Sequence, residues 1–156
     1  VGHDVLMRRL TVRAWDLTGC HCICEYLLPC RQQEPRQQEK RMRIMRKQDR
    51  PPKSVNMDGA VDVSVAKMVA EADGAPTAAM RLFEIQPGGH TPWHAHGWEH
   101  VIYAVEGLGT LKTENGDAEF GPGDALLVDP DEEHNFVNRG NTPLRFICVV
   151  PLSGDR

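Results

Sequence analysis

The stretch GGHTPWHAHGWEHVIYAVEG, residues 88–107, decides how the rest of the chain is read. It opens on two glycines, turns at Pro92, and carries His94, His96 and His100 ahead of a β-branched and aromatic run from Val101 to Val105 that suits a strand. Gly107 and Gly109 close that run. Side chains two apart on an extended chain share a face. In a continuous strand His94, His96 and His100 would point into one cavity, and Glu99, of opposite parity, would point away. His134, on a later strand, would close the set. Imidazole is the commonest protein ligand for zinc, copper, iron and nickel, so these four histidines are read as ligands of one metal ion. His90, beyond the Pro92 turn, is read as a loop residue.

Outward from this stretch the text stays strand and turn. Val61, Val63 and Val65 alternate with Asp62, Ser64 and Ala66, a period of two. Ala79–Ile85 reads as a strand broken by Pro87-Gly88-Gly89. Downstream, Thr110–Thr113 runs into Asn115-Gly116, a two-residue hairpin signal. Asp124–Val128, His134–Val137 and Leu144–Val150 are short strands between turns. No segment after Pro51 sustains a helical period. Many short strands with closely spaced turns predict an all-β sandwich or barrel.

Gly88-x₅-His94-x-His96-x₃-His100-x₆-Gly107 resembles the first motif of the cupin superfamily, G-x₅-H-x-H-x₃₋₄-E-x₆-G. Gly123-x₅-Asp129-x-Asp131-x₂-His134-x₃-Asn138 resembles the second, G-x₅-P-x-G-x₂-H-x₃-N. The resemblance covers about residues 45–152 and is closest to the small single-domain cupins. It implies a double-stranded β-helix, or jelly-roll barrel, holding one divalent transition metal ion. Manganese or iron is expected foremost, with zinc, copper or nickel as alternatives. Two departures stand out. Asp129 and Asp131 replace the usual Pro and Gly, and Asp131 can take a left-handed turn position at modest cost. His100 replaces the usual Glu ligand, leaving four neutral imidazoles and the full charge of a divalent ion. The leading expectation for function is a metal-dependent oxidoreductase of dioxygenase type acting on a small molecule. A non-redox isomerase or lyase, or a binding cupin without turnover, are the alternatives. A homodimer is expected, with residues 51–70 adding a strand to a partner's sheet edge. No catalytic residue beyond the ligand set is assigned.

Composition sets limits on partners. The chain of 156 residues carries a net charge of -4, and 6% of it is aromatic, which argues against a nucleic-acid binder. No run of apolar residues is long enough for a membrane span. Charge is uneven: residues 1–50 hold 11 Lys and Arg against 6 Asp and Glu. Residues 1–44 are therefore read as a basic extension outside the native domain, and 45–156 as the barrel, with a natural start near Met42 or Met45. Cys20, Cys22, Cys24 and Cys30 match no zinc spacing and are read as incidental thiols. Leu17–Cys20 superficially resembles a lipoprotein signal, but Arg13 and Asp16 interrupt any apolar core, so a cytoplasmic protein is expected. Arg81 is read as a surface charge rather than an anion anchor. Trp93, Trp98, Phe136, Phe146 and Cys148 are read as core or rim packing, with Cys148 buried and inert.

Overall fold

A computed structural model describes residues 42–155. The expected extension with its four cysteines lies outside the described residues, apart from Met42–Ile44. Nine strands follow: β1 (Lys53–Ser54), β2 (Val61–Val69), β3 (Ala78–His90), β4 (His100–Glu106), β5 (Gly109–Thr113), β6 (Gly116–Phe120), β7 (Ala125–Val128), β8 (His134–Asn138) and β9 (Leu144–Pro151). Short 3-10 turns are the only helical pieces among the described residues. No helix there is long and apolar enough to cross a membrane.

The strands form one curled antiparallel sheet in the order β6-β5-β8-β3-β9-β4-β7, with β2 added to β3 and β1 to β2. This is the jelly-roll arrangement expected. The central strands come from distant parts of the chain, so the two motif-bearing segments meet through β3, β8 and β9. Strand β2 carries the Val61-Val63-Val65 alternation, and it is hydrogen-bonded to β3 of its own chain along its length.

Two turns differ from expectation. Pro87-Gly88-Gly89 does not end the strand but forms a wide bulge: Val61 pairs with His90 and Val63 with Ile85, so Asp62 alone faces the residues between. Gly88 at φ 79° and Asp62 at φ 50° absorb the bend. Gly89 is required by close approach, since a Cβ there would lie 2.6 Å from the Val61 carbonyl oxygen. Across the bulge β3 changes partner from β9 to Val137 of β8, which makes His90 a strand residue. The β5–β6 turn is Glu114-Asn115, and Gly116 at φ 134° opens β6 instead of sitting in the turn.

The core lies on the concave side. Ile102 and Ala104 of β4, Phe146, Cys148 and Val150 of β9, and Ile85, Val128 and Phe136 are buried together. Phe146 stacks on Phe83 at 5.2 Å and meets Phe136 at 5.0 Å between ring centroids. Each such side chain contributes about 1.5–3 kcal/mol by leaving water. Asn138, the last residue of the second motif, is buried. Its amide donates to the carbonyls of Ile85 and Thr142 at 2.8 and 2.9 Å, and its oxygen accepts from the Gly140 amide. That set ties the β8–β9 turn to β3.

Candidate metal centre

His94 and His96 do not lie on a strand continuous with His100. From Thr91 to Glu99 the chain leaves regular pairing, keeps one bridge between His94 and His134, and bends at Gly97-Trp98. The backbones of His94 and His134 exchange hydrogen bonds at 3.2 and 3.0 Å. The His96 carbonyl accepts from the Asp131 amide at 2.8 Å. Asp131 does adopt a left-handed conformation, φ 64°, so the aspartate at the motif's Gly position keeps the turn. The second-motif turn thus holds the first-motif loop in place. The parity argument fails at the bend, yet its orientations hold: His100 is buried at the start of β4 and Glu99 is exposed.

Ligand nitrogens of His94, His96 and His134 lie within 4.8 Å of one another. His100 meets the cluster through His96: their rings stack at 4.4 Å and their Nε2 atoms are 2.5 Å apart. The His100 ring also lies 5.1 Å from that of His134. Three of the rings are oriented by backbone carbonyls: Nδ1 of His94 donates to Pro92, of His96 to Trp98 and of His134 to Glu132, at 2.8–2.9 Å. A carbonyl only accepts, so each of these Nδ1 atoms carries the proton and each Nε2 presents a lone pair. His134 Nε2 is buried with no hydrogen-bond partner. An orphaned acceptor at the meeting point of other imidazoles is costly unless a cation fills it, so the residues present fit a metal ion.

Burial also favours the neutral form of His96, His100 and His134. It lowers the His96 and His134 pKa values. It pushes His100 down to about 3, with His96 and Arg81 adding to the effect. Neutral imidazole is the form that ligates metals.

Arg81 is not the surface charge expected. It shares the inward side of β3 with Ala79, Phe83 and Ile85, because Met80 and Leu82 take the outward positions. Its Nη2 donates to Cys148 Sγ and its Nη1 to the Gly154 carbonyl, both at 3.3 Å, and its guanidinium sits 5.3 Å over the Phe83 ring. Its Nε is buried without a partner. Cys148 is buried as expected, and its Sγ lies 3.3 Å from His100 Nδ1. Trp98 stacks flat on His96 at 4.4 Å. Its indole rests on Gly154, where a Cβ would be 2.6 Å from Nε1. Gly154 was missed in the sequence, because nothing local marks it; only the return of the chain end beneath Trp98 does. Trp93 is exposed on the rim, donating to Glu133 at 2.6 Å.

Comparison with known proteins agrees with this architecture. The Cupin domain family matches residues 81–150. The polyketide cyclase RemF from Streptomyces resistomycificus superposes with a TM-score of 0.68 at 33% identity, over 72% of this chain and 80% of that one. The chain therefore belongs to the cupin superfamily. It is 26% identical over 93 residues to the 1-methylthio-D-xylulose 5-phosphate methylsulfurylase of Rhodospirillum rubrum, 60% of each protein. It is 34% identical over 76 residues to the oxalate-binding protein of Thermotoga maritima, 46% of this chain and 63% of that protein. The chain spans 55–63% of the length of the curated relatives it matches.

Proposed function

We propose that His94, His96, His100 and His134 hold one divalent transition metal ion, manganese or iron foremost, and that the chain is a mononuclear cupin enzyme acting on an anionic, oxygen-bearing small molecule. The observation that carries this reading is the buried, partnerless Nε2 of His134 facing the lone pairs of His94 and His96. When bound, the ion supplies Lewis-acid polarisation of a carbonyl or carboxylate oxygen or, if redox-active, the dioxygen chemistry of an oxygenase. Four neutral ligands leave the centre positive, and Arg81 adds a fixed cation on the same inner wall. Both select for a negatively charged substrate. Of the two chemistries, Lewis-acid catalysis is supported by the likeness to a polyketide cyclase, since ring closure is assisted by carbonyl polarisation. The dioxygenase reading rests on the family resemblance.

Metal analysis and paramagnetic resonance on protein from cells grown with trace metals test the proposal. About one ion per chain, lost in His134→Ala, is expected. Protein that takes up no stoichiometric transition metal refutes it. Oxygen uptake with a redox-active ion would reverse the order of the two chemistries.

We further propose that two copies pair through the convex side of β3-β9-β4-β7. Val101, Tyr103, Val105, Leu127 and Met80 are exposed there, side by side on neighbouring strands with Ile147 and Val149 between them. Four strands at about 4.8 Å spacing and five residues at about 3.4 Å outline roughly 300 Å² of apolar face, the scale of an interface core that a polar rim completes. The charges at its end are already paired, Arg145 with Glu84 and Glu106, so pairing would bury no lone ion. Light scattering at micromolar concentration should give a dimer mass; a monomer mass overturns the proposal.

A further inference from the structure

Trp98 meets the histidine cluster twice. Its backbone carbonyl accepts from His96 Nδ1 at 2.8 Å, and its indole lies flat against the His96 imidazole, with ring centroids 4.4 Å apart and planes within 4°. No polar partner places the indole. A buried indole N–H ordinarily finds an acceptor, yet Trp98 Nε1 is buried without one. Two surfaces hold the ring instead: the His96 imidazole and the backbone of Gly154. A Cβ on Gly154 would have Nε1, Cε2 and Cδ1 of Trp98 as its three nearest atoms, at 2.6, 2.8 and 2.9 Å. Gly154 does not take a left-handed φ. Its lack of a side chain is therefore required by the indole and not by its own backbone.

The turn that carries Gly154, Leu152–Gly154, is anchored from several sides. The Leu152 amide donates to the Thr77 carbonyl at 3.1 Å, and its side chain packs against the core. Arg81 Nη1 donates to the Gly154 carbonyl at 3.3 Å. Lys67, opposite Arg81 on β2, donates to the Asp155 carbonyl and lies 3.1 Å from the Asp155 carboxylate. So anchored, the turn yields less readily than the indole, and a group added at position 154 displaces Trp98. We propose that Gly154 and Trp98 are positioning residues for His96: the turn after β9 is a backstop, and the indole carries its position to the imidazole. A ligating histidine needs outer partners that fix its ring. The Trp98 carbonyl fixes one edge of His96, but a single hydrogen bond leaves the ring able to rotate about it. The indole face removes that rotation and keeps the ligand nitrogen of His96 turned towards those of His94 and His134.

This inference rests on the metal reading above, and its test separates the two. Zinc affinity of the full chain, by competition with a chromophoric chelator, is measured at a temperature where circular dichroism shows each variant folded. Gly154→Ala should weaken zinc binding about 10–100-fold. Trp98→Ala, which keeps the backbone carbonyl, should do the same. The double variant should bind no more weakly than Trp98→Ala alone, because the added methyl then has no indole to move. Carbon–proton NMR of histidine-labelled protein gives a second readout. The indole ring current shifts the His96 ring signals, and Gly154→Ala should move them towards their Trp98→Ala positions with or without zinc. Residues that merely support the fold would lower the melting temperature and leave zinc affinity and, in Gly154→Ala, the His96 signals in place. Two results overturn the proposal: wild-type zinc affinity in either single variant, or losses that add in full in the double variant. If Gly154→Ala does not fold, the zinc affinity of Trp98→Ala decides. If the wild-type protein binds no zinc, the metal reading fails, while unmoved His96 signals in Gly154→Ala would still overturn the positioning role and moved ones support it.

Discussion

On strands β4 and β9 the inward residues are His100, Ile102, Ala104, Leu144, Phe146, Cys148 and Val150, all buried. The outward ones are Val101, Tyr103 and Val105, all exposed, with Ile147 and Val149 half-buried between strands. An antiparallel sheet with one wet face usually alternates apolar and polar residues. Here both faces are apolar, so hydrophobic pattern does not distinguish inside from outside. Polar chemistry does: the histidine and the cysteine lie on the concave side, and the Glu84–Arg145–Glu106 pairs border the convex one. The concave face has its occupants packed in place. The convex face lacks a cover of its own among the described residues.

The difference can be broken by neighbouring substitutions. Phe146→Ala, inward on β9, should lower unfolding stability by about 3–5 kcal/mol in urea titration, because it leaves a cavity beside Phe83 and Phe136. Ile147→Ala, one residue on and outward, should lose far less in the monomer. Equal losses would mean the two faces are not distinct in energy. The next largest effect concerns protons on the concave side. His100 is held down to about 3 in the folded chain, against about 6.5 when unfolded. Below about 6.5 the unfolded chain therefore binds more protons, and stability falls with pH until about 3, by a few kcal/mol in total. Chelated protein should show this slope, and His100→Leu should reduce it, His96 and His134 supplying the remainder; an unchanged slope would remove His100 as a source.

Smaller effects sharpen the picture. If the histidines hold the proposed metal, chelation should lower the melting temperature by several degrees, since ligand at a hundredfold excess over its dissociation constant adds about 2.7 kcal/mol. An unchanged melting temperature after confirmed metal loss would make the centre energetically neutral. On the convex face, Tyr103→Glu should shift the proposed dimer towards monomer in light scattering, with little change in the melting of the monomer itself. Glu99→Gln should have the least effect: Glu99 is exposed, and metal content should stay at the wild-type level. Loss of metal in Glu99→Gln with retention in His100→Ala would exchange their roles.

Much of this arrangement was legible along the chain. Strand positions follow from β-branched runs between glycines, and spacing alone picks out His94, His96, His100 and His134, because a turn of given length brings the same residues together whatever lies between. Asp131 was readable as a left-handed residue for the same local reason. The route by which the histidines meet was not. Parity assumes an unbroken strand, and only the Asp131 amide on the His96 carbonyl and the His94–His134 bridge reveal that the chain bends at Gly97-Trp98.

Contacts across the barrel were equally out of reach. Arg81 reads as a surface charge because a lone arginine in a strand usually is one; its inward position depends on the register of β3 against β9, which places it opposite Cys148. Gly154 under Trp98, and the contacts of Cys148 with Arg81 and His100, join residues far apart in the chain. By itself the sequence determined the strands along the chain and singled out the histidines, since these depend on local backbone preference and side-chain chemistry. The tertiary structure decided which side chains surround the histidines and which apolar face remains open, because both depend on distances between strands that no local pattern encodes.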